Sequence, residues 1–596
     1  MTIDSNNMKK ITILAFAITV LFVIVKTVNN SHYRNRIPDI PDLSALNTNL
    51  QNQIRDADQD AHKKPTVNNL GILGTVYHSS LYYEQAEECY KLAIKKNPSK
   101  WIWSYYLGCI YKELGKPEDA VENFVRVLKK NPEAFHAQYY IGEGYRDLGM
   151  NDKAISAFGE IAWKNGEFDK GSKNFRNDYF SLDIYAKYQI ARIHYVNSDF
   201  EASQKELVKI MDQNSAYGPA LRLLGSIFNA SGDTITGNEY LTRSMELFHL
   251  TTPVDTLLDI LAFRSTSEAY ILKQIDKADY DSDFEWAVTL ANNALKYTPD
   301  NKYAISKAVK LFLRTEFGLR ALSLLDKHYK DFSEDFTELK DVADLLYRNH
   351  FYTEAYNYYE KASELHPEDT GLQANMALSL LGQGEKDKVK DLINLYVKKN
   401  PANPDILSNA VYISFLMDEV TTSECYLGRL MSISPSSSKG LLLSGLLKEK
   451  EGNLTEAQSL YEKSQKIDPE LITIESLGNL LVKQKKYQEA IGHFSLALEV
   501  FPNEPFILRQ LGSLLVNNSD TASLNYKKGI QYLERVLFHR SCPYEYLSST
   551  AADLSAIYAK TGINKKAKAY DELVTGLRQA ETSPRDLIIK LMKQLK

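Results

Sequence analysis

Four cysteines are the residues of this chain best suited to redox or metal chemistry. Cys89, Cys109, Cys425 and Cys542 do not have the spacing of a zinc site, a haem attachment site or a redox pair. Cys89 and Cys109 fall on helices expected to pack together, so a disulfide in an oxidising compartment is an alternative to two ordinary buried thiols. The pattern predicts no metal and no cofactor.

Acid–base and nucleophilic chemistry has no better support. The chain carries no glycine-rich phosphate loop, no His-Glu-x-x-His and no Gly-x-Ser-x-Gly motif. Its 11 histidines are scattered, with His78 and His136 expected to face solvent and His194 to lie near a packing position. Paired carboxylates such as Glu87 and Glu88 are expected to be charged groups exposed to solvent on the outer faces of helices. We therefore predict that the protein is not an enzyme.

The composition is that of a globular protein, with 44% apolar and 25% charged residues. A length of 596 residues allows several ordinary domains or one long repeat array. The formal net charge of −5 argues against a nucleic-acid partner, because such proteins usually present a basic face.

The N-terminus contains an uncharged apolar run, Ile11–Val25, bounded by Lys10 and Lys26. Extended to residues 11–28, it predicts an uncleaved single-pass membrane anchor, with the rest of the chain on the extracytoplasmic side. A removed signal peptide at residues 1–28 is the alternative, although no small-residue cleavage site follows the run.

Residues 29–66 are rich in Asn, Asp and Gln and are predicted to be a spacer. Within them Leu43, Leu46, Leu50 and Ile54 recur at helical spacing. The spacer is therefore expected to end in one amphipathic helix that caps the structure after it.

Prolines recur every 34 residues, and other residue types recur in register with them. The prolines are Pro98 and Pro132, then Pro367, Pro401, Pro435 and Pro469. A Leu-Gly or Ile-Gly pair falls at one offset within the repeat, as at Gly74, Gly108, Gly142 and Gly478. A second glycine lies near the turn in the middle of the repeat, as at Gly115, Gly149, Gly232, Gly384 and Gly452. An alanine then opens a second helical pattern, as at Ala86, Ala120 and Ala154.

Each of these residues has a physical role in a helical hairpin. Small residues such as Gly74 and Ala86 let two helices approach closely, and an aromatic such as Tyr90 fills the space beside them. The proline cannot continue a helix and ends the repeat. One hairpin cannot bury its own apolar face, so the hairpins must stack. The predicted fold is an all-α solenoid of 34-residue helix-turn-helix repeats.

The pattern resembles the tetratricopeptide repeat family, most closely over 67–165 and 336–504. The resemblance implies a right-handed superhelix, with an N-terminal array at 67–251, a C-terminal array at 252–580 and a capping helix at 581–596. Residues 162–183 and 516–527 read as insertions, and 252–283 match the repeat poorly, so a bend is expected there.

The concave face of such an array is implied to be its binding surface, lined by the first helix of each repeat. In the N-terminal array this face is expected to carry Tyr105, Tyr139 and Tyr188, with Arg192 and Arg222 nearby. Tyrosine and arginine suit protein recognition. Helix packing is the alternative role for the tyrosines.

In residues 370–450 the same offsets hold apolar side chains, among them Leu378, Tyr412, Phe415 and Leu446. A contiguous apolar patch usually marks a contact. Three explanations remain open: packing within a tight superhelix, a partner's helix, or a lipid.

The function expected from these features is a membrane-anchored scaffold that binds partner proteins in its concave groove, in envelope assembly or secretion. One alternative is a lipid- or polysaccharide-binding module. Another is a receptor of the mitochondrial outer-membrane preprotein type, whose layout is similar. Against it, the basic residues of a carboxylate clamp are missing at the corresponding positions, Gly71, Thr75, Tyr106, His136 and Tyr140.

Overall fold

The computed structural model describes residues 30–162, 180–214, 217–245, 247, 250–281, 283–315, 317–332, 335–521, 523–538, 544–579, 587 and 591. Every regular element within these ranges is an α-helix. The predicted all-α class, built from a succession of helical hairpins, is confirmed. Contacts divide the chain into two compact units: unit 1 takes the described residues of 1–237 and 249–305, and unit 2 those of 238–248 and 306–596.

The helices of the first half of the chain are α1 (Thr48–Lys63), α2 (Val67–His78), α3 (Tyr83–Lys96), α4 (Trp101–Glu113), α5 (Pro117–Leu128), α6 (Phe135–Asp147), α7 (Asn151–Ala162), α8 (Leu182–Val196), α9 (Phe200–Gln213), α10 (Gly218–Ala230), α11 (Thr234–Met245), α12 (Thr256–Arg264), α13 (Glu268–Tyr280) and α14 (Phe284–Tyr297).

The helices of the second half are α15 (Lys302–Leu313), α16 (Gly318–Phe332), α17 (Phe336–Arg348), α18 (Tyr352–Leu365), α19 (Thr370–Gly382), α20 (Lys386–Lys399), α21 (Pro404–Leu416), α22 (Val420–Ile433), α23 (Ser438–Lys450), α24 (Leu454–Ile467), α25 (Leu471–Lys483), α26 (Tyr487–Val500), α27 (Pro505–Asn517), α28 (Leu524–Phe538), α29 (Tyr544–Lys560) and α30 (Asn564–Gln579).

Within a hairpin, a glycine of the first helix lies directly against an aromatic ring of the second. A Cβ atom placed on Gly74 would lie 2.7 Å from the Tyr90 ring, and one placed on Gly478 would lie 2.1 Å from that of Phe494. Both rings are fully buried. The close approach inferred from the repeat pattern is therefore present in both units.

The turn between the two helices of a hairpin holds one residue in the left-handed conformation. Glycine takes this position, with φ between 67° and 87°, at Gly115, Gly149, Gly232, Gly384, Gly452 and Gly562. Residues with a side chain take it, with φ between 61° and 67°, at Leu81, Ser198, His350, Asp418 and Lys485. The turn geometry is thus kept even where the sequence lacks the glycine that favours it.

The helix predicted in the spacer is α1. Asn47 caps it, because its side chain accepts a hydrogen bond from the backbone N–H of Leu50 at 2.9 Å. Leu50 and Ile54 are buried as the pattern predicted. Leu43 is also buried but lies before the helix, in a turn closed by a hydrogen bond from the Leu46 N–H to the Leu43 carbonyl.

The single-pass membrane localisation expected from the sequence is corrected. Among the described residues no helix is long and apolar enough to cross a membrane. The longest of them, α29, has 17 residues, whereas a span needs about 20 mostly apolar ones. Residues 11–28, on which the prediction of an anchor or signal peptide rested, lie outside the described residues.

The two units differ from the two arrays expected at 67–251 and 252–580. The described residues of 252–305, which the sequence placed in the second array, have their contacts within unit 1. Most of the insertion at 162–183 lies outside the described residues, as does the capping helix at 581–596 apart from Leu587 and Leu591.

Candidate functional site

In each hairpin we call the earlier helix the first helix and the later one the second helix. The first helices α2, α4 and α6 line one surface of unit 1, which we call the inner face of unit 1. Residues 250–267 cover it. Three hydrogen bonds join the two: His136 Nε2 to the Val254 carbonyl oxygen at 2.7 Å, the Tyr106 hydroxyl to the Leu257 carbonyl oxygen at 3.2 Å, and Ser265 Oγ to the Ser79 carbonyl oxygen at 3.1 Å.

A carboxylate lies at the centre of this contact. The hydroxyls of Tyr105 and Tyr140 donate to Asp255 Oδ2 at 2.6 and 2.8 Å. Asp255 Oδ1 accepts from the backbone N–H groups of Leu257 and Leu258 at 3.0 and 3.2 Å, which caps α12. Burial, together with the charge of Asp255, raises the pKa of both tyrosines, so their hydroxyls stay protonated donors.

The tyrosine row predicted for recognition lies largely inside unit 1. Tyr105 is 2% exposed and Tyr139 is fully buried. The Tyr139 hydroxyl accepts a hydrogen bond from Gln189 Nε2 at 3.0 Å. Tyr105 lies beneath residues 250–267 and Tyr139 in a polar cluster with Gln189, so the structure does not bring these two together in one open site.

The other three residues of that prediction do lie together. The Arg192 guanidinium is 6.0 Å from the centre of the Tyr188 ring and donates to Gln189 Oε1 at 3.2 Å. Burial raises the pKa of Tyr188, while the charges of Arg192 and Arg222 oppose the rise. Tyr188 is buried, whereas both arginines are exposed.

His78, which was expected to face solvent, is fully buried, so that prediction was wrong. Its Nε2 atom lies 3.4 Å from Glu113 Oε1, and the Tyr83 hydroxyl donates to Glu113 Oε2 at 2.5 Å. Lys273 of α13 is 3.5 Å from the same carboxylate. Burial opposes ionisation of Glu113, but these partners outweigh it and lower its pKa to about 2.

Unit 2 has its own inner face, and here the apolar residues predicted for binding stay partly exposed. Leu378, Tyr412, Phe415 and Leu446 lie on the first helices α19, α21 and α23, and each is half-buried. Leu378, Tyr412 and Leu446 pack against a buried cluster formed by residues 377–443. Lys450 Nζ lies 4.9 Å above the Phe415 ring. We call these four residues the apolar row of unit 2.

Cys89 and Cys109 are both buried and unbonded. Burial raises the pKa of each thiol, which keeps both in the unreactive protonated form. Among the described residues no group of three or more His, Cys, Asp or Glu side chains could hold a metal ion.

Asp255 and its partner Tyr140 were not singled out as a pair by the sequence. The available signal was the poor repeat match at 252–283, which marks a stretch that does not pack as an ordinary hairpin. The sequence indicated only that the basic residues of a carboxylate clamp are missing at Tyr106, His136 and Tyr140.

The stacked hairpins and their first-helix faces define a helical repeat protein. Two family models, both described as tetratricopeptide repeat, match residues 107–170 and 438–471. Tetratricopeptide repeats are therefore present in unit 1 and in unit 2. No curated protein matches the chain in sequence.

Three of the solved structures that are similar to this chain cover different shares of it. The Cut9–Hcn1 hetero-tetramer of the APC/C has a chain that is 13% identical, with 84% of this chain and 99% of that chain covered and a TM-score of 0.28. Yeast Tom70 is 14% identical, with 78% and 99% covered and a TM-score of 0.30. MamA is 17% identical, with 29% and 93% covered and a TM-score of 0.25.

Proposed function

We propose that the protein is a scaffold that binds an amphipathic helix of another protein on the inner face of unit 2. Tetratricopeptide repeats serve to bind proteins, and the repeat at 438–471 contributes α23 to this face. The apolar row, Leu378, Tyr412, Phe415 and Leu446, is the proposed contact.

One comparison within the chain carries the proposal. The ninth residue of α4 is Cys109 and that of α6 is Glu143, and both are buried, at 3% and 5% exposure. The ninth residues of α19, α21 and α23 are Leu378, Tyr412 and Leu446, and all three remain half-exposed. Thr75, the ninth residue of α2, is half-buried, and Asn479, the ninth residue of α25, is exposed. This repeat position is thus open to solvent in several hairpins, and in α19, α21 and α23 it carries apolar side chains, as a contact surface does.

The row also has the spacing of a helix-binding surface. Its members come from three consecutive first helices, so a helix lying across them meets one apolar group on α19, two on α21 and one on α23. Fully removing a large apolar side chain from water is worth about 1.5–3 kcal/mol. Because each member is already half-buried, covering the remainder would contribute about 1 kcal/mol per residue.

The test uses the full chain as bait for a phage-displayed library of helical peptides, with affinities then measured by fluorescence anisotropy. The selected peptides should carry apolar residues at positions i, i+3 or i+4, and i+7. Leu378→Asp should weaken their binding about tenfold or more, because a carboxylate would be buried without a partner. Phe415→Asp should weaken it as well, because the large apolar ring is lost from the contact.

Leu395→Asp is the matched control, since Leu395 is 46% exposed on the second helix α20. It should leave peptide affinity unchanged. Selected peptides that bind the Leu378→Asp chain as well as the wild type would contradict the proposal. So would loss of helix content in both row variants, because the row would then be structural. A fatty acid that competes with the selected peptides would identify an acyl ligand instead.

A further inference from the structure

The segment that covers the inner face of unit 1 runs against the chain order of the helices beneath it. Its first contact is with α6, the next with α4, and a later one with the end of α2. It ends beside α1, where Thr266 Oγ1 donates to Gln53 Oε1 at 2.6 Å. The segment therefore crosses three successive hairpins, as a bound peptide would.

The segment is not built like the repeats around it. Its helix α12 has nine residues, whereas α2, α4 and α6 have 12 or 13. Val254, Leu261 and Ala262 are buried against the unit, at 2–4% exposure. Leu257 and Leu258 remain half-exposed, although a hairpin partner would normally cover such residues. Leu257 and Leu258 lie one turn before Leu261 and Ala262 on the same side of α12, so this apolar side is only partly covered in its first turn and is buried in its second.

Asp255 is the specific element of the contact. It is 5% exposed and its carboxylate accepts from two hydroxyls and two backbone N–H groups. Within the described structure no cation pairs with it. Neutral donors therefore bind this carboxylate, where other carboxylate sites use basic residues. An asparagine at this position would point its NH₂ group, which is a donor, at either the two hydroxyls or the two backbone N–H groups, which are donors as well.

We propose that the inner face of unit 1 is a recognition site for an aspartate-capped apolar helix. Residues 254–265 occupy the site as an internal copy of that ligand, and a segment of the same chemistry in another protein binds by displacing them. The Tyr105 and Tyr140 hydroxyls select the aspartate, and the Tyr106 hydroxyl and His136 hold the backbone carbonyls of Leu257 and Val254 on either side of it.

The experiment titrates a fluorescein-labelled synthetic peptide of residues 250–268 against the full chain. With Asp255→Asn in the chain, the internal segment is weakened and the peptide should bind about tenfold more tightly than to the wild type. A peptide carrying asparagine in place of the aspartate should bind that variant about tenfold less tightly. Adding Tyr105→Phe and Tyr140→Phe to the chain should abolish the difference between the two peptides.

Asp199→Asn is the control for removing the charge of a helix-capping aspartate in the same unit, because Asp199 caps α9 by accepting from the Ala202 N–H at 3.1 Å. It should bind the peptide as weakly as the wild type. Circular dichroism must show equal helix content in every variant that is compared.

Failure of the peptide to bind an Asp255→Asn chain of normal helix content would overturn the proposal, as would equal affinity for the aspartate and asparagine peptides. Dimerisation of that variant without peptide binding would also overturn it, because a second copy would then be the occupant. If Asp255→Asn loses helix content, hydrogen exchange of the wild type decides. The amides of Leu257 and Leu258 must exchange faster than those of α4, and equal protection would make the segment a core element.

Discussion

The Tyr105 hydroxyl donates to the Asp255 carboxylate across 2.6 Å, although 150 positions separate the two residues in the chain. Tyr140 donates to the same oxygen atom from the next first helix. Hydrogen bonds to a buried charge are among the stronger polar contributions to stability. The pair therefore offers a direct measure of how firmly residues 250–267 are held.

The double variant Tyr105→Phe with Tyr140→Phe should lower the free energy of unfolding of unit 1 by about 2–4 kcal/mol, because a buried carboxylate loses two donors. Tyr111→Phe, which removes a hydroxyl that donates to the partly exposed Glu87, should cost less than about 1 kcal/mol. Trp101, Trp103 and Trp286 lie in unit 1 and no tryptophan lies among the described residues of unit 2, so urea unfolding followed by tryptophan fluorescence reports on unit 1. Equal losses in the two variants would contradict the assignment.

Glu113 should make unit 1 sensitive to acid. Its folded-state pKa of about 2 lies below the ordinary glutamate value of 4.5, so the unfolded chain binds the extra proton first. The stability it contributes is fully present above pH 4.5 and is lost as the pH falls toward 2. The free energy of unfolding, measured at several pH values, should therefore fall less steeply between pH 4.5 and 2 for Glu113→Gln than for the wild type. An unchanged slope would show that Glu113 is not the group responsible.

Gly478→Ala should destabilise unit 2, because the added Cβ would lie 2.1 Å from the Phe494 ring. Overpacking of this kind costs about 1–3 kcal/mol. Gly492→Ala is the control, since nothing lies within 4 Å of a Cβ there, and it should stabilise α26 by about 0.5–1 kcal/mol. Thermal unfolding followed by circular dichroism distinguishes the two, and a shift of the same sign in both would contradict the hairpin packing described above.

The hairpin turns predict opposite effects for two substitutions at the same turn position. Lys485 has φ of 61°, so Lys485→Gly should relieve strain and raise stability by about 1 kcal/mol. Gly452 has φ of 87°, and Gly452→Ala should lower stability by about 1 kcal/mol or more. The midpoint of thermal unfolding should move up for the first variant and down for the second.

The sequence predicted the parts of the fold that depend on neighbouring residues. The glycine at 74 and the aromatic at 90 belong to one hairpin, and their spacing alone indicates that they meet. The turn at Lys485 was less visible, because the tertiary fold imposes a left-handed conformation on a residue that does not favour it.

The candidate site was predicted only in part, because the decisive contacts are remote in sequence. Nothing local to Tyr105 indicates that it bonds to Asp255, and nothing local to Glu113 indicates that Lys273 of α13 lies beside it. The apolar row of unit 2 was found because three of its members, Leu378, Tyr412 and Leu446, recur every 34 residues. No such periodicity marks residues 250–267.

The path of residues 250–267 also bears on how unit 1 gains and loses its structure. A plain stack of hairpins is held by contacts between neighbours, so its terminal hairpins can open one at a time. In unit 1 the Ser265 side chain bonds to Ser79 across 186 positions, and Gln53 bonds to Thr266 across 213, so the first hairpins are tied to a segment far along the chain. Opening of α2 must break those bonds as well. Unit 1 should therefore unfold as a single cooperative block, and it should refold more slowly than a stack of equal length whose contacts are all local.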